Sequence, residues 1–322
     1  MRRSRIAGLL LLVAVGCPAG ALAQVDDPNF PPTPPPTPPR PPRNDASGYK
    51  PILEDSKLPW QLPPELYRSL QEKTEVYRDF AIRFTCDELA RVATYKGGDE
   101  ATKERARRYA YLIVRENAGI GLRELRQELS DGGQVKSGEI RDEDPFPPAY
   151  AWVFLFSRQN EGHFDFRYVG ERFDGFDWVH EIQFRGSLPF TDGKDIREWE
   201  GVVLIDAPSR TPLEIRAEPA RQSERLEEVF REWAKSFQIM GLHMAKSPNG
   251  YQARIQFRER RSTTDDNQTV TLTFPTEIRY DKFRAVGAAQ VAPISATTRT
   301  YSNYRFFKPT VVPELGDVAP SR

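Results

Sequence analysis

Cysteine is almost missing from this chain: there are two, Cys17 and Cys86. Cys17 falls in a leader that export would remove, so no intramolecular disulfide is available and stability has to come from a buried core. Cys86 is read as a small apolar residue on a strand. Histidine is scarce too, with His163, His180 and His243 far apart. Zinc wants clustered His, Cys and carboxylate ligands at short spacing. His163-Phe164-Asp165 is the nearest approach, and no metal is expected there. No G-x-S-x-G occurs, and Cys86 has no histidine beside it, so an activated nucleophile is not indicated. Gly97-Gly98 and Gly132-Gly133 read as hairpin turns rather than phosphate cradles, and no cofactor is expected. Charge of one sign is not in excess, with 46 Lys+Arg against 46 Asp+Glu. Loss of Arg2, Arg3 and Arg5 with the leader leaves a slightly acidic chain, which argues against nucleic acid as a partner. Beyond the leader no apolar run is long enough to span a membrane.

What the chain does have begins with that leader. Arg2, Arg3 and Arg5 precede the apolar Ile6 to Val15, and Ala21-Leu22-Ala23 forms a small-x-small cleavage site. This is a secretory signal peptide over 1–23, cleaved after Ala23. The alternative reads Ala14-Val15-Gly16-Cys17 as a degenerate lipobox with Cys17 lipidated. Either way the protein is expected to be exported, periplasmic or attached to the envelope. Residues 24–62 follow as a disordered tether, with PPTPPPTPPRPP at 31–42 held in an extended polyproline conformation. The folded domain is expected over 63–308, and 309–322 as a flexible tail.

Within that domain the apolar spacing keeps switching period. Leu66, Leu70, Val76 and Tyr77 share one helical face after Pro63-Pro64. Phe80, Ile82, Phe84 and Cys86, then Tyr109, Tyr111 and Ile113, then Leu122 to Leu129 follow the two-residue period of strands. Tyr150 to Phe156 (YAWVFLF) is apolar throughout and fits a buried strand or a short helix equally. Phe164, Phe166 and Tyr168 share a strand face, as do Trp178, His180, Ile182 and Phe184. Val202 to Ile205 and Leu213 to Ala217 flank Asp206-Ala207-Pro208-Ser209-Arg210-Thr211-Pro212 and make a hairpin. Ser223 to Phe237 returns to helical spacing, with Ser223 as N-cap and Glu224, Glu227 and Glu228 where the dipole favours acids. Tyr251 to Phe257 and Val270 to Phe274 are strands around a charged loop at 258–268. Pro275 should mark an edge or bulge, and Tyr301 to Phe307 is a last strand. Asn267-Gln268-Thr269 fits a glycosylation sequon, in a sequence of bacterial character.

The aromatic load on these strand faces is the main functional clue. Phe164, Phe166, Tyr168, Trp178, Phe184, Tyr109 and Tyr111 would all project from one side of a sheet, which must cover them or curve around a ligand. The helix at 223–237 would then lie over that face as a lid, lined by Phe230 and Trp233. These nine are the candidate ligand-binding residues. Asp165, Glu181 and His180 would support a hydrolase only if they met in one cleft.

Two motifs carry a family resemblance: GVVLIDAPSRTPLEIRAEP at 201–219 and TLTFPTEIRY at 271–280. They resemble the hairpin and the apolar-Pro strand of the periplasmic lipoprotein-carrier superfamily of the LolA, LolB and RseB type. The likeness extends over roughly residues 65–308. It implies an α+β fold, a curved, half-closed antiparallel β-sheet (an open barrel) with helices covering the concave face. It also implies an apolar cavity for an acyl chain. The expectation is a monomeric, non-enzymatic envelope protein binding a lipid or lipoprotein acyl chain. The alternative is a structural module with a solid core that meets an envelope protein through a sheet edge or the 258–268 loop. The proline-rich tether and the helix at 223–237 depart from the compact, untethered form of shuttling carriers.

Overall fold

A computed structural model of the chain describes residues 49–53, 56–80, 84–96, 100–115, 122–130, 146–174, 177–188, 196–238, 248–263, 269–287 and 290–306. All belong to the unit Asn44–Arg322. The expected signal peptide, the PPTPPPTPPRPP stretch, Asn267 of the sequon and the expected tail 309–322 lie outside the described residues. Helix α1 (Pro64–Phe80) takes in Phe80, expected at the head of the first strand, and is followed by β1 (Phe84–Tyr95), β2 (Ala101–Arg115) and β3 (Leu122–Leu129). Helix α2 (Ala149–Val153) continues into a 3-10 turn at Phe154–Phe156. Then come β4 (Phe164–Phe173), β5 (Trp178–Ser187), β6 (Glu198–Asp206), β7 (Pro212–Pro219), α3 (Gln222–Gln238), β8 (Asn249–Thr263), β9 (Thr269–Gly287) and β10 (Gln290–Phe306).

The strands form one antiparallel sheet in the order β3-β2-β1-β10-β9-β8-β7-β6-β5-β4. Every neighbour but one follows its partner in sequence. The exception pairs β1 with β10, from Phe84 opposite Phe306 to Thr94 opposite Ser295. β3 and β4 are edges, so the sheet is open rather than a closed barrel. Its curvature follows from one short helix. Ala149 N–H of α2 donates to Glu124 on β3 at 2.6 Å, Trp152 Nε1 donates to Tyr280 Oη on β9 at 3.0 Å, and the Trp152 ring meets Trp199 of β6 at 5.4 Å. In a flat sheet β3 and β6 would be about 34 Å apart, seven spacings of ~4.8 Å. A helix only about 10–12 Å across reaches both because the sheet wraps around it.

That position also settles the ambiguous YAWVFLF run. All of Ala149 to Phe156 are buried, and a segment apolar on every side suits a helix enclosed all round better than a strand with one face outward. The main core gathers here: Leu66 and Leu70 of α1, Trp152 and Phe156, and Ile182, Phe184, Val203, Ile205, Ile215, Ile255, Ile278 and Tyr280 of the sheet. Cys86 is in the same core, and burial, with the Glu88 and Asp87 carboxylates nearby, pushes its thiol well up.

The opposite face is covered in patches. Val202 and Leu204 alternate with Val203 and Ile205, and pack with Val179, Ile52 and Leu53. Thus residues 49–53, inside the stretch expected as tether, lie against the sheet. The unbroken VVLI run of β6 reflects burial on both faces. Helix α3 packs through Leu226 and Trp233 on Phe283 and Ala285. Phe283 is three residues from the core residue Tyr280 on the same strand, and so points to the other face. Gly250 makes room there, since the Phe283 ring occupies the space a Cβ would take. The lid expected of residues 223–237 is therefore not over the aromatic face. The helix begins at Gln222, which puts Ser223 within the first turn rather than at the cap. Pro275 does lie at a bulge, where the register slips between Gln256 and Phe257. The charged stretch from Arg258 to Thr263 is strand, the end of β8, rather than loop.

Candidate functional site

The nine aromatic candidates separate into three places. Phe164, Phe166, Phe184 and Tyr111 are buried in the main core, with Tyr168 packed against it. Phe166 stacks on Phe156 at 5.0 Å, and Tyr111 meets Phe274 and Tyr301 at 6.1 and 5.3 Å. Tyr109 is buried opposite Glu88 of β1. These rings form a filled core, not the wall of a void. Trp178 is 57% exposed and meets Phe173 edge-on at 6.0 Å across the β4–β5 tip. Phe230 and Trp233 pack together at 6.2 Å in the cluster on the other face.

A buried ionic group fixes the plug helix. Glu124 accepts from Ala149 N–H at 2.6 Å and from Tyr111 Oη at 2.8 Å, and pairs with Arg126 at 2.6 Å. Arg126 Nε donates to both oxygens of Glu88, at 3.0 and 2.9 Å. A carboxylate at the start of α2 suits the helix dipole and satisfies an N–H that would otherwise be orphaned.

The space that remains open lies at the other end of α1. A half-open cavity of about 190 Å³ has walls from Leu70, Trp152, Val153, Phe156 and Ile215. Its mouth carries Lys73, Arg210 and Glu259. At roughly 30 Å³ per water-sized group it holds about six such groups. That is less than the 300–1,000 Å³ of pockets that enclose drug-sized ligands, and it fits a length of one chain. The aromatic pattern does not point to these residues. The signal that could have found them is the arginine in Asp206-Ala207-Pro208-Ser209-Arg210, the turn of the expected hairpin.

Tyr168, His180 and Arg210 meet beside this mouth. Tyr168 Oη and His180 Nδ1 are 3.0 Å apart, and Glu171 Oε1 is 3.2 Å from the same nitrogen. Burial, and then the Arg210 charge, lower the His180 pKa below the ordinary imidazole value, while Glu171 and Asp206 oppose the change. His180 is therefore neutral near pH 7. Asp165 pairs with Arg185 at 2.9 Å and Glu181 with Arg172 at 2.7 Å. Both alternate with core residues and face away from His180, so the three do not share a cleft. Among the described residues no group of three His, Cys, Asp or Glu side chains is placed to hold a metal. No described helix is long and apolar enough to cross a membrane.

The fold defines a class: an open antiparallel sheet wrapped around short helices. Among solved structures, it is similar to a LolA superfamily protein from Nitrosomonas europaea, at 12% identity over 76% of this chain and 94% of that one, with a TM-score of 0.33. It is also similar to a DUF1329 family protein from Desulfovibrio piger, at 11% identity over 75% and 92% of the two chains, with a TM-score of 0.38. No family model and no curated protein matches the chain.

Proposed function

We propose that this is an exported, non-enzymatic protein of the cell envelope that holds one apolar chain, of the kind an acyl group supplies. The observation that carries this is the cavity between α1, the α2 plug and the ends of β7 to β9. Its depth is apolar and its mouth is charged, which matches an amphiphile better than a wholly polar ligand. Phe164, Phe166, Phe184, Tyr111 and Tyr168 act at one remove, as the core against which the walls are set. The size favours a single chain over a lipid with several.

Trp152 lines the cavity and serves as the reporter. A single-chain amphiphile brominated along its tail should quench its emission, and native mass spectrometry should show one bound chain. Val76, 47% exposed at the lip, can be replaced by Trp to plug the opening without touching the core. Binding lost in Val76→Trp supports the reading. A wild-type protein that takes up no chain overturns it. A second reading, an envelope interaction module, is favoured by the exposed Phe173–Trp178 pair. It requires that Phe173→Ser with Trp178→Ser abolish capture of a partner from envelope extract.

A further inference from the structure

We infer that Arg210 is the counter-ion for an anionic head group, a carboxylate or phosphate at the end of the chain held in the cavity. The inference rests on the chain-binding reading above and adds the chemistry of the head.

The turn Asp206 to Thr211 is built to hold this side chain at the wall. Arg210 has a φ of 59°, a left-handed backbone that costs a residue with a Cβ and persists where its surroundings enforce it. Here Arg210 N–H donates to Asp206 O at 2.8 Å and Asp206 N–H to Thr211 O at 2.9 Å. Ser209 N–H donates to Asp206 Oδ2 at 2.7 Å. The Asp206 carboxylate is thus occupied by the turn.

Arg210 lines the cavity, yet its Nη1 is buried without a hydrogen-bond partner. A guanidinium has five donors and no way to neutralise itself, and buried donors are normally satisfied. His180, 3% exposed, has its Nε2 in the same condition. The two are neighbours by register: His180 is opposite Ile205, and Ile205 opposite Pro212, two residues past Arg210. Lys73 and Glu259 add one charge of each sign to the mouth, which leaves the Arg210 charge in excess there. Arg210 Nη1 is thus a buried donor without an acceptor beside an apolar slot, and His180 Nε2 adds a second donor close by in the tautomer whose Nδ1 accepts from Tyr168 Oη. An anionic oxygen on an apolar tail satisfies them and fills the slot at once.

The test compares decanoate, decyl phosphate and decanol by titration calorimetry on the wild-type chain, Arg210→Gln and Arg210→Lys. The wild type should bind at least one anion about tenfold or more tightly than decanol, the worth of one charge-assisted hydrogen bond. The stronger anion identifies the head. Arg210→Gln should lose most of the preference for the anions over decanol, with Lys73 holding the remainder, and Arg210→Lys should restore part of it. Equal binding of all three by the wild type, or an undiminished preference in Arg210→Gln, overturns the anion site but leaves chain binding standing. No binding of any of the three overturns both.

Discussion

The two faces of this sheet are made by alternate residues of the same strands, yet they are covered by different physics. On the concave face Val203, Ile205, Ile182 and Phe184 meet a helix buried on all sides, and the interior is apolar and continuous. On the other face Val202, Leu204, Phe283 and Ala285 form two separate small clusters, and a buried carboxylate ties their cover together. Glu218 is fully buried and accepts from Tyr49 Oη at 2.6 Å, Ile52 N–H at 3.4 Å and Gln222 Nε2 at 3.2 Å. Gln222 in turn donates to Tyr251 O at 2.9 Å and accepts from Tyr251 N–H at 2.7 Å. One polar network thus joins the N-terminal segment, β7, α3 and β8. Where apolar area is plentiful, hydrophobic burial positions the cover non-directionally. Where it is sparse, directional hydrogen bonds do so, at a desolvation cost.

The comparison can be broken most severely on the concave face. Trp152→Ala should cost about 5 kcal/mol, at the top of the range for buried aromatics, because it also leaves Tyr280 Oη without its donor; chemical denaturation measures this. Arg126→Met is next, at about 3–4 kcal/mol, since Glu88 and Glu124 would then sit buried without their cation. The same denaturation reads it, and a second Glu88→Leu change should recover part of the loss.

On the other face the effects are smaller. Tyr49→Phe removes one hydrogen bond to a buried carboxylate, and a loss of about 2 kcal/mol is expected. Increased proteolytic cutting near residue 50, with the core intact, would show that only the cover loosens. Glu218→Gln sharpens the comparison through pH. Burial raises the Glu218 pKa above 4.5, against the lowering effect of its bonds from Tyr49, Ile52 and Gln222. The folded state therefore holds this proton more tightly than the unfolded state. The contribution to stability is full below about pH 4.5, the ordinary carboxylate value, and declines as pH rises through the raised value. Stability measured from pH 4.5 to neutrality should fall less steeply in Glu218→Gln. Glu200, raised by burial and by Glu218 opposite it, leaves a residual slope of the same sign.

Most elements were legible because strand and helix periods are local properties. Leu122 to Leu129 and the helix around 223–237 show it: alternation or 3.6-residue spacing suffices to mark them. Pro275 announced its bulge because a proline cannot donate to the ladder. The candidate site was far less legible. The aromatic positions were identified, but a projecting Phe is the same residue whether it fills a core or lines a void. Arg210 looked like turn punctuation, because its value depends on a helix more than a hundred residues away in sequence.

By itself, then, the sequence determined most of the strands and helices and the reliance on a core rather than disulfides. The tertiary structure alone decided that YAWVFLF is a plug, that α3 covers the far face, and that the open space lies at the 206–212 turn. The reason is physical. Periodicity states that a surface must be buried, but β6 is apolar on both faces and accepts a cover on either. Only the volume left after every side chain is placed shows where a ligand has room.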